Sequence, residues 1–326
     1  MHVIFATNDG GVNFLKVAVH SLVTHVNADK PYVIDVLEGE GGISASHKKE
    51  VLSIVGGRFP VVFRDAGPYL DANRAALEAA NRGRTLMIWA RIFSGELLSD
   101  VNENVVYLDT DTYVAGDLED LFRIDLGTAV LGMVPEAIRG GRAGTFRRTC
   151  LPPEVIRYCN SGVLLFNPAT WRRERVKDRL LEWVDRWKDE TRCPDQDALN
   201  AIFHDRMVFL PPKWNYHDGW VERSCRMRLG AETWEGHRPA DVLQAILEPR
   251  ILHYWGGRKP WFFNHRPERR RYETAMRELG MLDGPLEGTT FLKRLQLPFF
   301  DAAHAVMKAV ARRRLSAVRG CNGDLV

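Results

Sequence analysis

Little in this sequence suits a zinc protein, a disulfide scaffold, a membrane span or a nucleic-acid binder. The five cysteines (Cys150, Cys159, Cys193, Cys225 and Cys321) are scattered, odd in number and form no Cys-x-x-Cys pair. That argues against zinc and against a secreted disulfide framework, and it fits a reducing cytosol. No uninterrupted apolar run approaches the roughly 18 residues of a membrane span. Charge of one sign is also scarce: 45 basic against 42 acidic residues leave a net +3 over 326 residues, so the chain as a whole does not read as a nucleic-acid binder. Gly10-Gly11 is not a Gly-x-Gly-x-x-Gly fingerprint and reads equally as a flexible turn. No signal peptide is read at the start, where Met1-His2 leads straight into a strand pattern.

What is present is a full core and a regular alternation. Apolar residues make up 45% and charged residues 27%, enough for one large α/β domain or two small ones. Short apolar runs predict strands over residues 3–6, 32–38, 59–63, 105–108, 129–135 and 158–166. Helical spacing predicts helices over 13–26, 44–55, 70–80, 86–98, 118–122, 171–188 and from about Asp195 to Phe203, with Asp195 or a neighbour as cap. Gly56-Gly57 would close the helix over 44–55. Alternating strands and helices imply a mostly parallel sheet covered on both faces. Ligands collect at the carboxyl ends of such strands, where Asn8 and Asp9 follow the first strand and can hydrogen-bond a base or ribose. Residues 139–151, with four arginines and three glycines, read as a mobile loop. The polar Asn160-Ser161-Gly162 inside an apolar strand suggests a bulge or a close backbone approach.

The organising stretch is 104–118, in which Val105-Val106-Tyr107-Leu108 runs into Asp109-Thr110-Asp111. In extended backbone, positions i and i+2 point to one side. Two converging carboxylates repel unless a cation sits between them, and oxygen ligands suit Mg²⁺ or Mn²⁺. A turn containing two aspartates is the plain alternative. A phosphatase-type Asp-x-Asp-x-Thr is another, weakened because position 113 is Tyr. Much later, His253 ends an apolar run and is followed by Gly256, Gly257, Arg258 and Lys259, which reads as a third metal ligand beside a phosphate-binding loop.

Together these stretches resemble family-8 glycosyltransferases, the group of glycogenin and the bacterial lipopolysaccharide galactosyl- and glucosyltransferases. The resemblance covers about residues 1–265 and rests on Phe5-Ala6-Thr7-Asn8-Asp9, Arg91, Tyr107-Leu108-Asp109-Thr110-Asp111, Asn160-Ser161-Gly162-Val163, Asp195-Gln196-Asp197 with Leu199-Asn200, and the segment 253–261. It implies a GT-A fold, an α/β class with a mostly parallel nucleotide-binding sheet flanked by helices, over 1–280. It also implies retaining transfer of a hexose from a nucleotide sugar, usually UDP-linked, to a glycan or lipid-linked acceptor such as lipopolysaccharide. The resemblance makes Asp109, Asp111 and His253 the ligands of Mn²⁺, with Mg²⁺ as the alternative. Ala6, Asn8, Asp9, Arg91, Asp109, Thr110, Asn160, Gly256 and Lys259 would bind the donor, and Asp195 and Gln196 would sit at the reacting carbon. Where the family carries a large residue after strand one, this chain has Gly10-Gly11, so UDP is an expectation of the resemblance alone. A non-catalytic sugar-nucleotide or glycan binder on the same fold is the competing reading.

Residues 281–326 are expected to form a basic amphipathic tail. Lys293, Arg294, Lys308, Arg312, Arg313, Arg314 and Arg319 interleave with apolar residues such as Phe299 and Val310, against the single acid Asp301 over 291–319. Such a segment suits an anionic membrane surface, which would place the protein in the cytoplasm, on the inner face of the cytoplasmic membrane. A helix packed on the body with a solvated basic end is the alternative.

Overall fold

The computed structural model describes residues 1–81, 83–136, 150–217, 237–256, 259–262 and 268–323, side chains at 291–294 and 319–323 excepted. The chain divides into two compact units. The first comprises 1–19, 27–110 and 118–210, the second 20–26, 111–117 and 211–326.

The first unit is built on a seven-stranded sheet: β1 (His2–Thr7), β2 (Val33–Glu38), β3 (Val61–Asp65), β4 (Val105–Leu108), β6 (Leu131–Pro135), β7 (Cys159–Phe166) and β8 (Met207–Phe209), in the order β3-β2-β1-β4-β7-β6-β8. Four of the six pairings are parallel; β7 runs antiparallel to both its neighbours. The central strands read as near-continuous apolar runs because both faces are covered: every residue of β4 and β7 is buried. β1 lies between β2 and β4, with Val3 beside both Ile34 and Val106. The sheet is extended there in both directions, the place where ligand crevices open in α/β folds.

Local chemistry explains most of the helices. Ser44 caps Ala45–Val55 by accepting from the His47 amide, and Gly56 ends it at φ 60°, as the sequence predicts. Trp171, buried, stacks on Phe166 with ring centroids 3.9 Å apart and donates from Nε1 to the Val130 carbonyl at 3.0 Å. An indole satisfied in this way costs about 3–5 kcal/mol when truncated to alanine.

Several predicted elements are divided. The helix over 70–80 is two, Gly67–Ala72 and Arg74–Asn81, broken at Asn73, whose amide bonds the Tyr69 carbonyl and competes with the helical ladder. The segment 86–98 is a 3₁₀ helix, Leu86–Phe93, followed by the short α-helix Ser94–Leu97. Here the Arg91 side chain takes the Ile88 carbonyl at 3.0 Å, the acceptor an α-helix would have used. The helix over 171–188 is Pro168–Arg173 and Val176–Trp187, separated where Arg175 adopts φ 52°. Asp195 is not a cap. The helix Pro194–Phe203 starts after Cys193, and Asp197 receives the Arg192 and Cys193 amides at 3.0 and 3.2 Å. The irregularity expected at 160–162 is present: between Gly132 and Val134, the partner on β7 steps from Leu165 to Asn160. Of the loop expected over 139–151, residues 139–149 lie outside the described residues.

The second unit contains a two-stranded antiparallel sheet of β5 (Thr112–Val114) and β9 (Ile251–His253), in which Thr112 pairs with His253. β5 was not expected, being three residues long with a partner far along the chain. The helices Pro239–Leu247, Arg269–Glu278 and Phe291–Gly323 complete the unit. The long last helix packs on Pro239–Leu247 and is pinned by ion pairs of Arg269 with Asp301 at 3.0 Å and Glu268 with Lys308 at 2.7 Å. Among the described residues, no helix is long and apolar enough to cross a membrane.

Candidate active site

In the first unit, β4 delivers Asp109 and the 3₁₀ helix Leu86–Phe93 delivers Arg91. The buried guanidinium donates from Nη2 to Asp109 Oδ1 at 2.7 Å and from Nη1 to the Ser161 carbonyl at 2.6 Å, with Nε 3.2 Å from Asp195 Oδ2. It also lies 4.7 Å from the centre of the Tyr107 ring, whose hydroxyl donates to Asp109 Oδ1 at 3.0 Å. Burial alone would lower the Arg91 pKa, but Asp109, Tyr107 and Asp195 hold it above its ordinary value. Burial pushes the Asp195 carboxyl up, against the opposing pull of Arg91. All three nitrogens of Arg91 are therefore engaged with protein oxygens. Arg91 holds two carboxylates in place before any ligand arrives.

Beside this cluster lies a network of amides. Gln196 Oε1 accepts from the Ser161 amide at 3.0 Å and from Asn160 Nδ2 at 3.2 Å, while Gln196 Nε2 donates to Glu136 Oε1 at 3.1 Å. Ser161 Oγ donates to Asp195 Oδ2 at 3.1 Å. Asn200 fastens the helix to the strand by bonding both the amide and the carbonyl of Cys159, at 2.7 and 2.8 Å. Arg91, Asp109, Asn160, Asp195 and Gln196 are thus joined, through Ser161, by a continuous set of short polar contacts. Glu136 and Ser161 were missed as site residues. The available signal was position: Glu136 follows β6 directly, a carboxylate at a strand end like Asp109.

The residues after β1 form a second cluster in the same unit. Asn8 Oδ1 accepts from the Gly11 amide at 3.2 Å and Nδ2 donates to Glu40. Asp9 Oδ1 accepts from the Ser44 amide at 2.8 Å and contacts His47 Nδ1 at 2.7 Å; these bonds, led by the Ser44 amide, lower its pKa to about 2. A Cβ at Gly11 would lie 2.4 Å from the Thr7 hydroxyl, so a larger residue there would force the Thr7 side chain to move. Ala6, next to last in β1 and beside Leu37, is part of the buried core. Thr110 lies between the two aspartates along the chain.

In the second unit, the β5–β9 pairing sets His253 against Asp111. His253 Nε2 is 3.1 Å from Asp111 Oδ1, and His253 Nδ1 is 2.9 Å from Asn215 Oδ1. The amide oxygen of Asn215 can only accept, so Nδ1 carries a hydrogen toward it and Nε2 faces Asp111. Lys259 Nζ contacts the other oxygen, Asp111 Oδ2. Burial alone would raise the Asp111 carboxyl; His253 and Lys259 reverse this and hold it well below the usual carboxylate range. Gly256 adopts φ 83° with open space where a Cβ would be, a backbone turn that suits anion contact. Its neighbour Gly257 lies outside the described residues.

The chain belongs to glycosyl transferase family 8, whose sequence model matches residues 2–265. It is a glycosyltransferase with the GT-A fold. General stress protein A of Bacillus subtilis (strain 168) is 27% identical over 273 residues, 81% of this chain and 88% of that protein. Lipopolysaccharide 1,2-glucosyltransferase of Escherichia coli (strain K12) is 24% identical over 174 residues, 53% of this chain and 48% of that protein. Two streptococcal glycosyltransferase relatives are longer, and the chain spans 37% and 21% of their length. The galactosyltransferase LgtC, solved with donor and acceptor sugar analogs, superposes with a TM-score of 0.72 at 25% identity, covering 91% of this chain and 100% of that one.

Proposed function

We propose that this glycosyltransferase moves a hexose, galactose or glucose, from a UDP-linked sugar to a glycan acceptor such as lipopolysaccharide, with retention at the anomeric carbon. The observation that carries the reading is the anchoring of His253 by Asn215, which turns Nε2 toward Asp111. The Asp109-Thr110-Asp111 stretch supplies Asp109 as a second carboxylate for that donor set. Two carboxylate oxygens and one imidazole nitrogen suit Mn²⁺, with Mg²⁺ as the harder alternative. Asp109, Asp111 and His253 would hold such a cation, which would supply positive charge against the negative charge of a departing diphosphate.

The chain's own groups do the rest. Lys259 and the backbone amides around Gly256 bind phosphate oxygens. Asn8 and Asp9 meet the nucleoside, and Arg91 and Asn160 orient Asp109 and Gln196 beneath the donor. Asp195 and Gln196 line the reacting carbon. Gln196 is a neutral amide and a poor nucleophile, which favours attack from the face the diphosphate leaves. The acceptor oxygen bonds to the anomeric carbon, the carbon–oxygen bond to phosphate breaks, and the acceptor proton passes to the leaving phosphate oxygen.

The test is a thermal-shift panel of nucleotide sugars with and without Mn²⁺, followed by a donor-hydrolysis assay. A ligand that binds only the folded chain must raise its melting temperature. We expect a UDP-hexose to do so only with metal, and to be hydrolysed. A panel without any metal-dependent shift overturns the reading, and binding without turnover would favour the non-catalytic alternative.

The same reading assigns residues 281–326 to an anionic membrane surface on the cytoplasmic side. Leu295, Phe299, Val306 and Val310 are exposed on the last helix, as are Arg312 and Arg313. Exposed basic residues near such a surface contribute about 1 kcal/mol each. Deleting the tail would uncover Arg269 and Glu268, so point changes are the better probe. Sedimentation with phosphatidylglycerol vesicles should fall for the variant carrying Leu295→Ser and Phe299→Ser, and for the parent as salt rises. Equal sedimentation of parent and variant at low salt would remove the membrane role.

A further inference from the structure

We propose that Glu136 is a positioning residue for the transfer: it locks the side-chain amide of Gln196 so that an N–H, not the carbonyl oxygen, is offered to the donor sugar. The purpose of the lock rests on the glycosyltransferase reading above; its geometry does not. Two contacts of opposite character set the amide. The Ser161 main-chain N–H can only donate, so the Gln196 atom 3.0 Å from it is the oxygen. A carboxylate oxygen that receives two N–H groups acts as acceptor, so the Gln196 atom 3.1 Å from Glu136 Oε1 is the nitrogen. Both contacts demand the same orientation of the amide.

Asn160 is held in the same manner. Its Oδ1 accepts from the Gly162 amide at 2.9 Å, which leaves Nδ2 to bridge Glu136 Oε1 at 3.1 Å and Gln196 Oε1 at 3.2 Å. One oxygen of Glu136 therefore fixes two amides. The chemical result is specific. The Gln196 carbonyl already receives the Ser161 and Asn160 N–H groups, and its lone pairs are committed to them. The amide nitrogen carries two hydrogens, of which Glu136 takes one. The second is the group that Gln196 can present to an electron-rich atom, such as a hydroxyl of the donor sugar. Gln196 is buried, and leaving a buried donor or acceptor unpaired is costly: Ser161 and Asn160 hold the oxygen and Glu136 holds the nitrogen, so without Glu136 that N–H loses its partner and the amide is held at one end only.

The test compares Glu136→Leu with Glu136→Gln. The leucine keeps the bulk and removes the acceptor; the glutamine keeps an acceptor oxygen and removes the charge. We expect Glu136→Leu to lower kcat by about tenfold or more with donor Kd nearly unchanged, and Glu136→Gln to lower it by less than about threefold. Equal loss in both variants would mean that charge, not orientation, is what matters, and would overturn the lock. So would a Glu136→Leu enzyme with parental kcat, or one whose loss appears only in donor Kd. A readout independent of turnover is hydrogen exchange of the Gln196 side-chain NH₂, assigned by its disappearance in the Gln196→Ala spectrum. The parent should protect it, Glu136→Leu should expose it, and Glu136→Gln should restore protection. Unprotected exchange in the parent refutes the lock even if no donor is turned over. Protection without turnover of any nucleotide sugar leaves the lock standing and refutes the functional reading instead. If Glu136→Leu does not fold, the exchange measurement on the parent and on Glu136→Gln decides alone.

Discussion

Asp109 and Asp111 are separated by one residue, yet different chemistry holds each. Asp109 belongs to the first unit and is gripped by a buried guanidinium and a tyrosine hydroxyl. Asp111 opens a segment of the second and is gripped by an imidazole and an ammonium group. An arginine engaged at every nitrogen is a fixed support: it cannot leave without stranding the carboxylates of Asp109 and Asp195. A lysine on a flexible stem can give up its contact to another cation at smaller cost. The first region rests on a support that cannot be exchanged, the second on contacts that can.

That contrast can be broken most severely at Asp111. Asp111→Asn keeps size and removes the ligand charge, and Mn²⁺-dependent donor binding should vanish in calorimetric titration while the fold survives. Parental affinity for donor and metal would sink the metal assignment. At Asp109's support, Arg91→Met should instead cost stability, about 3 kcal/mol, because one lost cation leaves buried carboxylates uncompensated. Denaturant unfolding measures this, and a loss within experimental error would show the guanidinium to be dispensable. A smaller effect is expected from Asn215→Ala. Without the anchor on Nδ1, His253 can take either tautomer, and metal affinity should weaken by about 10-fold, read by Mn²⁺ titration.

The smallest effect concerns acid. A carboxyl held low in the folded chain contributes stability that is present above its unfolded value, about 3.9, and lost as pH falls through the folded one. Asp111 is such a group, held down by His253 and Lys259. Lys259→Met should therefore begin to unfold at a higher pH than the parent when metal-free chains are titrated from about pH 5 downward. Coincident acid curves would mean that Lys259 does not stabilise the Asp111 charge.

Much of the first unit was legible in the sequence. The runs at 3–6 and 105–108, and the Ser44 start and Gly56 stop, are local patterns, and the structure places strands and a helix on them. Family membership was legible too, because it rests on short motifs in a fixed order. At two of the places where the reading erred, a side chain had intervened in the backbone ladder: Asn73 at Tyr69, and Arg91 at Ile88. Periodicity records which residues are apolar and is blind to a polar side chain that captures a helical carbonyl.

The sequence by itself determined the alternation of strand and helix, the Asp-Thr-Asp at a strand end and the candidates His253, Asp195 and Gln196, since each depends on residues that are neighbours in the chain. Only the tertiary structure decided their partners. Glu136 meets Gln196 across 60 residues and Lys259 meets Asp111 across 148, and neither separation leaves a local mark. The orientation of the Gln196 amide was decided there as well, since it depends on one donor and one acceptor that folding alone brings to its two ends.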